Sequence, residues 1–309
     1  MKTIVLFDKV AGLNNVDAPT RMVYDPSNSI INLAEAVNID VDNTGRPKRR
    51  CGYTATARTE SSHSMFTGRT GTYFIAGTVM YRLNGDATRT SIATGIVADL
   101  PMYYIEVLDT IYFANGLQKG ILVNGVYYDW SIGTYYGPTT HRQFSAPPTG
   151  TILEVYNGTM FIVVKNVLWY SERFGMNLFD LARNFIWFED DITMLMAVKD
   201  GLFVSTTKKV VFLQGNYPDE FKQSHVSDQP AVPGTAVKVN AEDVESGNVS
   251  AFKSSMSGKG VIWTTLSGIY FGHEGGESKC LTGNRIKLPS VSSGCAAFHD
   301  GKYLVTFNN

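Results

Sequence analysis

The chain has 309 residues, a formal net charge of −1 and 18 % charged residues. That length can bury one large core or two small ones. The near-zero charge excludes a protein drawn to nucleic acid or to an acidic membrane surface by its overall field. With 16 Tyr, 17 Phe and 29 Gly among many Thr and Val, the composition is all-β. Low charge with many aromatics also suits a chain that covers part of its surface with partners.

The start, MKTIVLFDKVAG, has four consecutive apolar residues before Asp8. That is too short for a signal-peptide core. No run approaches the about 18 apolar residues of a membrane span. A soluble product made without export, with no membrane partner, is expected. Residues 1–30 are read as an N-terminal arm and 31–309 as the folded domain.

Residues 38–53, NIDVDNTGRPKRRCGY, combine an acidic alternating half, a turn and a basic cluster. Asp40, Asp42 and Gly45 fall on positions 1, 3 and 6 of a calcium loop, but the twelfth position is Cys51 and no helices flank it. Arg46, Lys48, Arg49 and Arg50 have the charge to meet phosphate. On a neutral chain, such a cluster reads first as a solvated arm or a contact to another subunit. The simplest reading is a hairpin about the DNTG turn, with AEAVNIDVD and KRRCGYTATA as its strands.

A motif of about forty residues then recurs. It is an apolar segment, a turn with Asn, Asp or Gly, an aromatic-rich strand, a second tight turn and another strand. Copies lie at 69–83, 108–123, 156–171, 199–215, 258–272 and 299–309. The aromatics Tyr73, Tyr112, Phe161, Phe203, Trp263 and Tyr303 are separated by 39, 49, 42, 60 and 40 residues. Four of these steps suit a four-stranded propeller blade. A blade cannot bury its faces alone, so stacking is implied. The expected fold is a single all-β propeller of six blades, with five or seven left open. The last copy ends after its second strand, so pairing of the N-terminal hairpin with KYLVTFNN is expected to close the ring. Insertions are expected near 171–185 and 214–234. The first, SERFGMNLFDLARNF, has roughly helical apolar spacing.

Glu106 and Glu154 both stand three residues before a turn residue, Asp109 or Asn157. As a pair near a channel they would suit glycoside chemistry, but polar lining is the plainer reading. The tyrosines at 103, 104, 127, 128, 135 and 136, with Trp130, make an aromatic sector that would either stack sugars or pack blades. The three cysteines (Cys51, Cys280, Cys295) form no disulfide framework. The five histidines show no metal-ligand spacing, and no nucleotide or nucleophile motif occurs. No cofactor, no metal and no catalytic set are expected.

GLNNVDAPTRM (12–22), followed by LAEAVNIDVDNTGRPKRRCGYT (33–54) and then propeller repeats, resembles bacteriophage virion proteins of the tail and head-to-tail region. The matching residues are Ala36, Asn38, Asp42, Gly45, Arg50, Gly52 and Tyr53, over about 40 residues of chain. The resemblance is to the β-propeller hub or stopper of short-tailed phages. It implies a non-enzymatic subunit of the virion tail, synthesised in the host cytoplasm. The implied partners are portal or adaptor, tail tube or nozzle, fibres and copies of itself in a ring, with incidental contact to packaged DNA. The contact residues expected on this reading are Leu13, Asn15, Pro19 and Arg21 in the arm, Arg46, Lys48, Arg49 and Arg50 in the basic run, and Phe174 and Phe179 in the insertion. A carbohydrate-binding or carbohydrate-active propeller is the alternative. If the 33–57 hairpin closes the ring, its deletion should unfold the chain cooperatively; an unchanged melting temperature would refute this.

Overall fold

Asn157 and Gly158 both hold positive φ, 46° and 78°. That is the geometry of a two-residue type I′ turn. It sets Tyr156 opposite Thr159 and joins two strands rich in aliphatic and aromatic side chains. Asn124 and Gly125, at 50° and 80°, do the same between Val123 and Val126. Hairpins of this kind build most of the chain in this computed structural model, which describes residues 9–18, 30–41, 44–50, 52, 62–137, 142–240, 258–283, 285–288, 290–299 and 301–308.

In chain order the strands are β1 (Lys9–Leu13), β2 (Ile30–Leu33), β3 (Ile39–Val41), β4 (Pro47–Arg49), β5 (Ser62–Gly68), β6 (Gly71–Ala76), β7 (Val79–Leu83) and β8 (Arg89–Thr94). There follow β9 (Tyr103–Val107), β10 (Thr110–Ala114), β11 (Lys119–Val123), β12 (Val126–Tyr128), β13 (Ile152–Tyr156), β14 (Thr159–Val164), β15 (Val167–Tyr170) and β16 (Phe185–Trp187). The last are β17 (Ile192–Val198), β18 (Gly201–Thr206), β19 (Val210–Gln214), β20 (Lys222–Ser227), β21 (Val237–Asn240), β22 (Lys259–Thr265), β23 (Gly268–Gly272), β24 (Ser278–Cys280), β25 (Ser293–His299) and β26 (Lys302–Asn308). Among the described residues there is no α-helix, and no helix is long and apolar enough to cross a membrane.

The strands fall into two compact units: residues 55–224, and residues 1–54 with 225–309. The first unit holds three four-stranded sheets, β5–β8, β9–β12 and β13–β16, in which every strand pairs with its sequence neighbour. A fourth sheet begins there with β17–β19, and its outer strand β20 carries the chain across the division. The first strands β5, β9, β13 and β17 lie beside one another in sequence order. Each buried cluster draws on two consecutive sheets. Tyr73, Ile75 and Met80 pack with Ile111, Phe113 and Leu122. Ala114 and Trp130 pack with Leu153, Met160, Ile162 and Phe179. Phe161, Val163 and Leu168 pack with Leu195, Leu202, Val204 and Val211. Burial of this kind contributes about 1.5–3 kcal/mol per large apolar side chain.

The other unit holds the four-stranded sheet β21–β24, the antiparallel hairpins β25–β26 and β3–β4, and the parallel pair β1–β2. Val239, Ile262 and Phe271 form its buried cluster, with Phe298 and Tyr303 against them. The Tyr303 hydroxyl donates to the Thr235 carbonyl at 2.6 Å.

All six repeat aromatics stand on the second strand of their sheet or hairpin, as the spacing requires: β6, β10, β14, β18, β22 and β26. Three expectations need correction or narrowing. The stretch 171–185 is not helical: it is a run of turns between β15 and β16, with Phe174 at φ 58° and bridges Glu172–Gly175 and Ser145–Phe179. Its apolar residues serve as separate anchors, not as one helical face. The stretch 214–234 is not a plain insertion, because it contains β20. That strand, KQSHVS, is solvated and polar and carries no apolar alternation to betray it. The extra length of the 60-residue step lies between β21 and β22, mostly outside the described residues.

The hairpin about DNTG forms, with Asp40 opposite Lys48 and Ile39 opposite Arg49. Its turn residues Asp42 and Asn43 lie outside the described residues. Among the described residues no ladder joins β3–β4 to β25–β26. They meet through an ion pair, Lys302 Nζ to Asp40 Oδ2 at 3.7 Å, while Arg50 Nε holds Asp40 Oδ1 at 3.0 Å.

The hydrogen bond from Arg50 holds the Asp40 carboxyl below the usual carboxylate range, with Lys302 adding to it. A depressed carboxylate contributes stability above its unfolded value and loses it as pH falls through the folded value. The melting temperature is therefore expected to fall on acidification through the carboxylate range by slightly more in the wild type than in Asp40→Asn. Equal acid slopes in the two proteins would show that this tether contributes nothing. In the core, Phe203→Ala removes a fully buried ring. It is expected to lower unfolding free energy by about 3–5 kcal/mol in denaturant titration.

Candidate docking surface

The expected contact residues of the N-terminal region divide by what already holds them. Leu13 is half-buried in β1. Asn15 clamps the chain to itself: its Nδ2 donates to the Lys287 carbonyl at 2.9 Å, and Lys287 N donates to its Oδ1 at 2.8 Å. Asn15 N also reaches the Arg285 carbonyl at 3.0 Å. Its neighbour Asn14 accepts from Val16 N and Asp17 N at 3.2 Å, an Asx turn. Pro19 and Arg21 lie outside the described residues. Arg46, Lys48, Arg49 and Arg50 are exposed on or beside β4. Gly45 lies against β1, since its carbonyl accepts from Val10 N at 2.7 Å. The described motif residues Asn38, Gly45 and Arg50 thus shape one hairpin, where Arg50 N also donates to the Asn38 carbonyl at 2.8 Å.

The two carboxylates do not form a pair. The turns are Leu108–Asp109 and Asn157–Gly158, so Asp109 is the second turn residue and Asn157 the first. Glu106 opposes Ile111 in the second pair from its turn, whereas Glu154 opposes Phe161 in the third. One residue of offset sends a side chain to the other face of its sheet. Glu106 Oε1 accepts from Arg69 N at 2.8 Å, in the turn of the preceding sheet. Glu154 Oε2 accepts from Ala197 N at 3.1 Å, on the first strand of the following sheet, and its Oε1 accepts from Val155 N at 2.8 Å. Each carboxylate joins a different pair of sheets. Among the described residues no three His, Cys, Asp or Glu side chains gather as metal ligands.

The aromatic sector splits. Trp130 is buried, its ring 5.0 Å from Tyr112 and its Nε1 donating to Asn177 Oδ1 at 2.9 Å. Tyr104 stacks on Phe66 at 5.2 Å. Both are packing residues. Tyr127, Tyr128, Tyr135 and Tyr136 are exposed, Tyr136 to 91 %. Tyr127 and Tyr128 lie with exposed Val126 on β12, the outer strand of its sheet. The next outer strand, β16, repeats the pattern: Phe185 and Trp187 are exposed, Trp187 to 63 %. The strand residues themselves, VYY and FIW, are aromatic or apolar throughout, without the polar alternation of a solvated edge.

The insertion presents one expected contact and buries the other. Phe179 is 0 % exposed and sits with Trp130, Met160 and Ile162. That corrects its assignment as a partner contact, because the ring fills the core. Phe174 is 74 % exposed. The loop is fixed behind by Arg142, which pairs with Glu172 and with Asp180 Oδ2 at 3.1 Å and donates to Asn184 Oδ1 at 3.0 Å. Sequence spacing gave no sign of Arg142, which comes from the linker before β13.

No protein-family model matches the chain, and no curated protein sequence matches it. Solved structures do. The chain is similar to BBS1N, solved in complex with ARL6DN, with a TM-score of 0.51, 11 % identity, and 86 % of this chain and 84 % of that one covered. It is also similar to the extracellular domain of BT4673, of a hybrid two component system from B. thetaiotaomicron, at TM-score 0.50 and 13 % identity, covering 82 % of this chain and 32 % of that one. A streptogramin B lyase follows at TM-score 0.48 and 12 % identity, with 87 % and 86 % covered. At such identities the likeness concerns fold alone. The fold is all-β and of propeller type.

Glu154→Leu would leave Ala197 N and Val155 N without their buried acceptor. The expected loss is about 1–3 kcal/mol in denaturant titration. Glu154→Gln, which keeps an acceptor, should lose less.

Proposed function

We propose that the chain is a non-enzymatic structural subunit of a bacteriophage virion, a tail or head-to-tail hub. It docks to neighbouring connector, tail or fibre proteins and to copies of itself around the DNA conduit. The observation that carries this reading is the exposed apolar character of two consecutive outer strands. Val126 and Tyr128 on β12, and Phe185 and Trp187 on β16, stand at sheet edges in solvent. Exposed edges rich in aromatics invite association, and proteins that stay single blunt them with charge or proline. A subunit built to be covered has no such need.

Two further features support the reading. Asn38, Gly45 and Arg50, described residues of the stretch that resembles the virion proteins, belong to a hairpin tied to β1 and to β26. The resemblance therefore falls on a structural joint, as suits a scaffold. The overall charge of −1 leaves contact to packaged DNA incidental and puts protein–protein contact first.

Mass spectrometry of purified virions, made from the genome that encodes the chain, is the test. The chain is expected in them at a fixed ratio to the other tail proteins. Virions that lack it would end this reading.

A further inference from the structure

Arg173 lies between two rings. Its guanidinium carbon is 4.9 Å from the centre of Phe174 and 4.6 Å from that of Tyr217. Stacking occupies the flat faces of a guanidinium and leaves its edge, where the N–H donors point. Arg173 makes no ion pair or side-chain hydrogen bond among the described residues. Nearby carboxylates in the sequence are engaged elsewhere or form no pair with it. Glu172 pairs with Arg142 and accepts from Asn184, Asp219 accepts from the Tyr170 hydroxyl at 3.3 Å, and exposed Glu220 forms no ion pair with Arg173.

The stack is also rigid. Phe174 holds φ 58°, which a bulky residue rarely adopts, and is 74 % exposed. Its N–H donates to the Gly158 carbonyl at 2.6 Å. Its ring covers Gly158 so closely that a Cβ there would come within 2.4 Å of Cε1. On the other side, Asn157 Nδ2 donates to the Asn216 carbonyl at 3.2 Å and the Tyr156 hydroxyl to Gly215 at 2.8 Å, fixing the loop that carries Tyr217. The ring rests on Gly158 and Arg173 yet keeps most of its surface in water on a strained backbone, and strain of this kind collects at functional positions. Arg, Tyr and a rigid exposed ring are the make-up of an interface hot spot.

We propose that Tyr217–Arg173–Phe174 is the anchor at which this chain docks a protein segment carrying a carboxylate beside an aliphatic side chain. The carboxylate takes the open guanidinium edge in a forked pair, and the aliphatic group lies on Phe174. This deepens the virion-subunit reading and rests on it only for the partner's origin.

The test is nuclear magnetic resonance on the purified full chain, following the Arg173 Nε–Hε signal, which is assigned by its loss in Arg173→Lys. The probes are two blocked peptides, N-acetyl-Leu-Glu-Leu-amide and its Gln counterpart. A saturable shift with the Glu peptide is expected, with binding about tenfold weaker for the Gln peptide, since charge-assisted pairs are roughly twice as strong as neutral ones. Phe174→Ser, with Arg173 intact, should weaken the Glu peptide as well. A signal that does not move, or equal response to both peptides, overturns the proposal. Peptide binding by a chain that virions lack would remove the virion origin and leave the dock. A chain present in virions that binds neither peptide would remove the dock alone.

Discussion

A four-stranded sheet in water leaves two faces exposed, and in residues 55–224 those faces are covered by the neighbouring sheets together with loop residues such as Trp130 and Phe179. Phe161 and Phe203, each on the second strand of its sheet, are fully buried. Among the described residues, three buried clusters of this unit each combine residues from two consecutive sheets. No sheet here has a core of its own, so stability accrues from neighbour contacts, as in other stacked repeats. The tight Asn157–Gly158 turn matters for the same reason: it sets the pairing register that points Phe161 to a covered face.

Outward from those clusters the constraint relaxes. First strands are covered by neighbouring sheets, while outer strands such as β12 and β16 have no sheet beyond them. What a chain places there depends on what it meets. This one places Val126, Tyr128, Phe185 and Trp187 at two such edges, and polar residues on β20 at another. The uneven choice among these edges is what supports the docking role proposed above.

The sequence made the hairpins legible because their signals are local. Asn124–Gly125 and Asn157–Gly158 need positive φ, and the repeated aromatics keep a spacing that only repeated sheets explain. Signals that depend on distant residues did not show. β20 has no alternation because its faces are solvated. The insertion at 171–185 has helix-like spacing, yet Phe179 is drawn into a core shaped by Trp130, and Arg142 fixes the loop from thirty residues away. The offset between Glu106 and Glu154 was hidden by one residue, since Asp109 and Asn157 occupy different positions in their turns. Of the residues proposed to dock, exposed Phe174 was legible as part of an insertion, whereas its stacking with Arg173 and Tyr217 depends on two loops meeting.

That single-residue offset also gives the sheets individual addresses. A chain of similar hairpins faces a sorting problem, because many sheet faces would fit many others through apolar contact alone. Glu106 reaches back to the Arg69 amide, and Glu154 reaches forward to the Ala197 amide. Between these two seams, the one joining β9–β12 to β13–β16 is filled by Trp130 and Phe179. A sheet docked wrongly against buried Glu154 would take away the Ala197 amide and leave its Oε2 unmet, at a cost above that of an imperfect apolar fit. Each acid marks one seam, so the side chains that join the sheets distinguish neighbours that apolar contact alone would not.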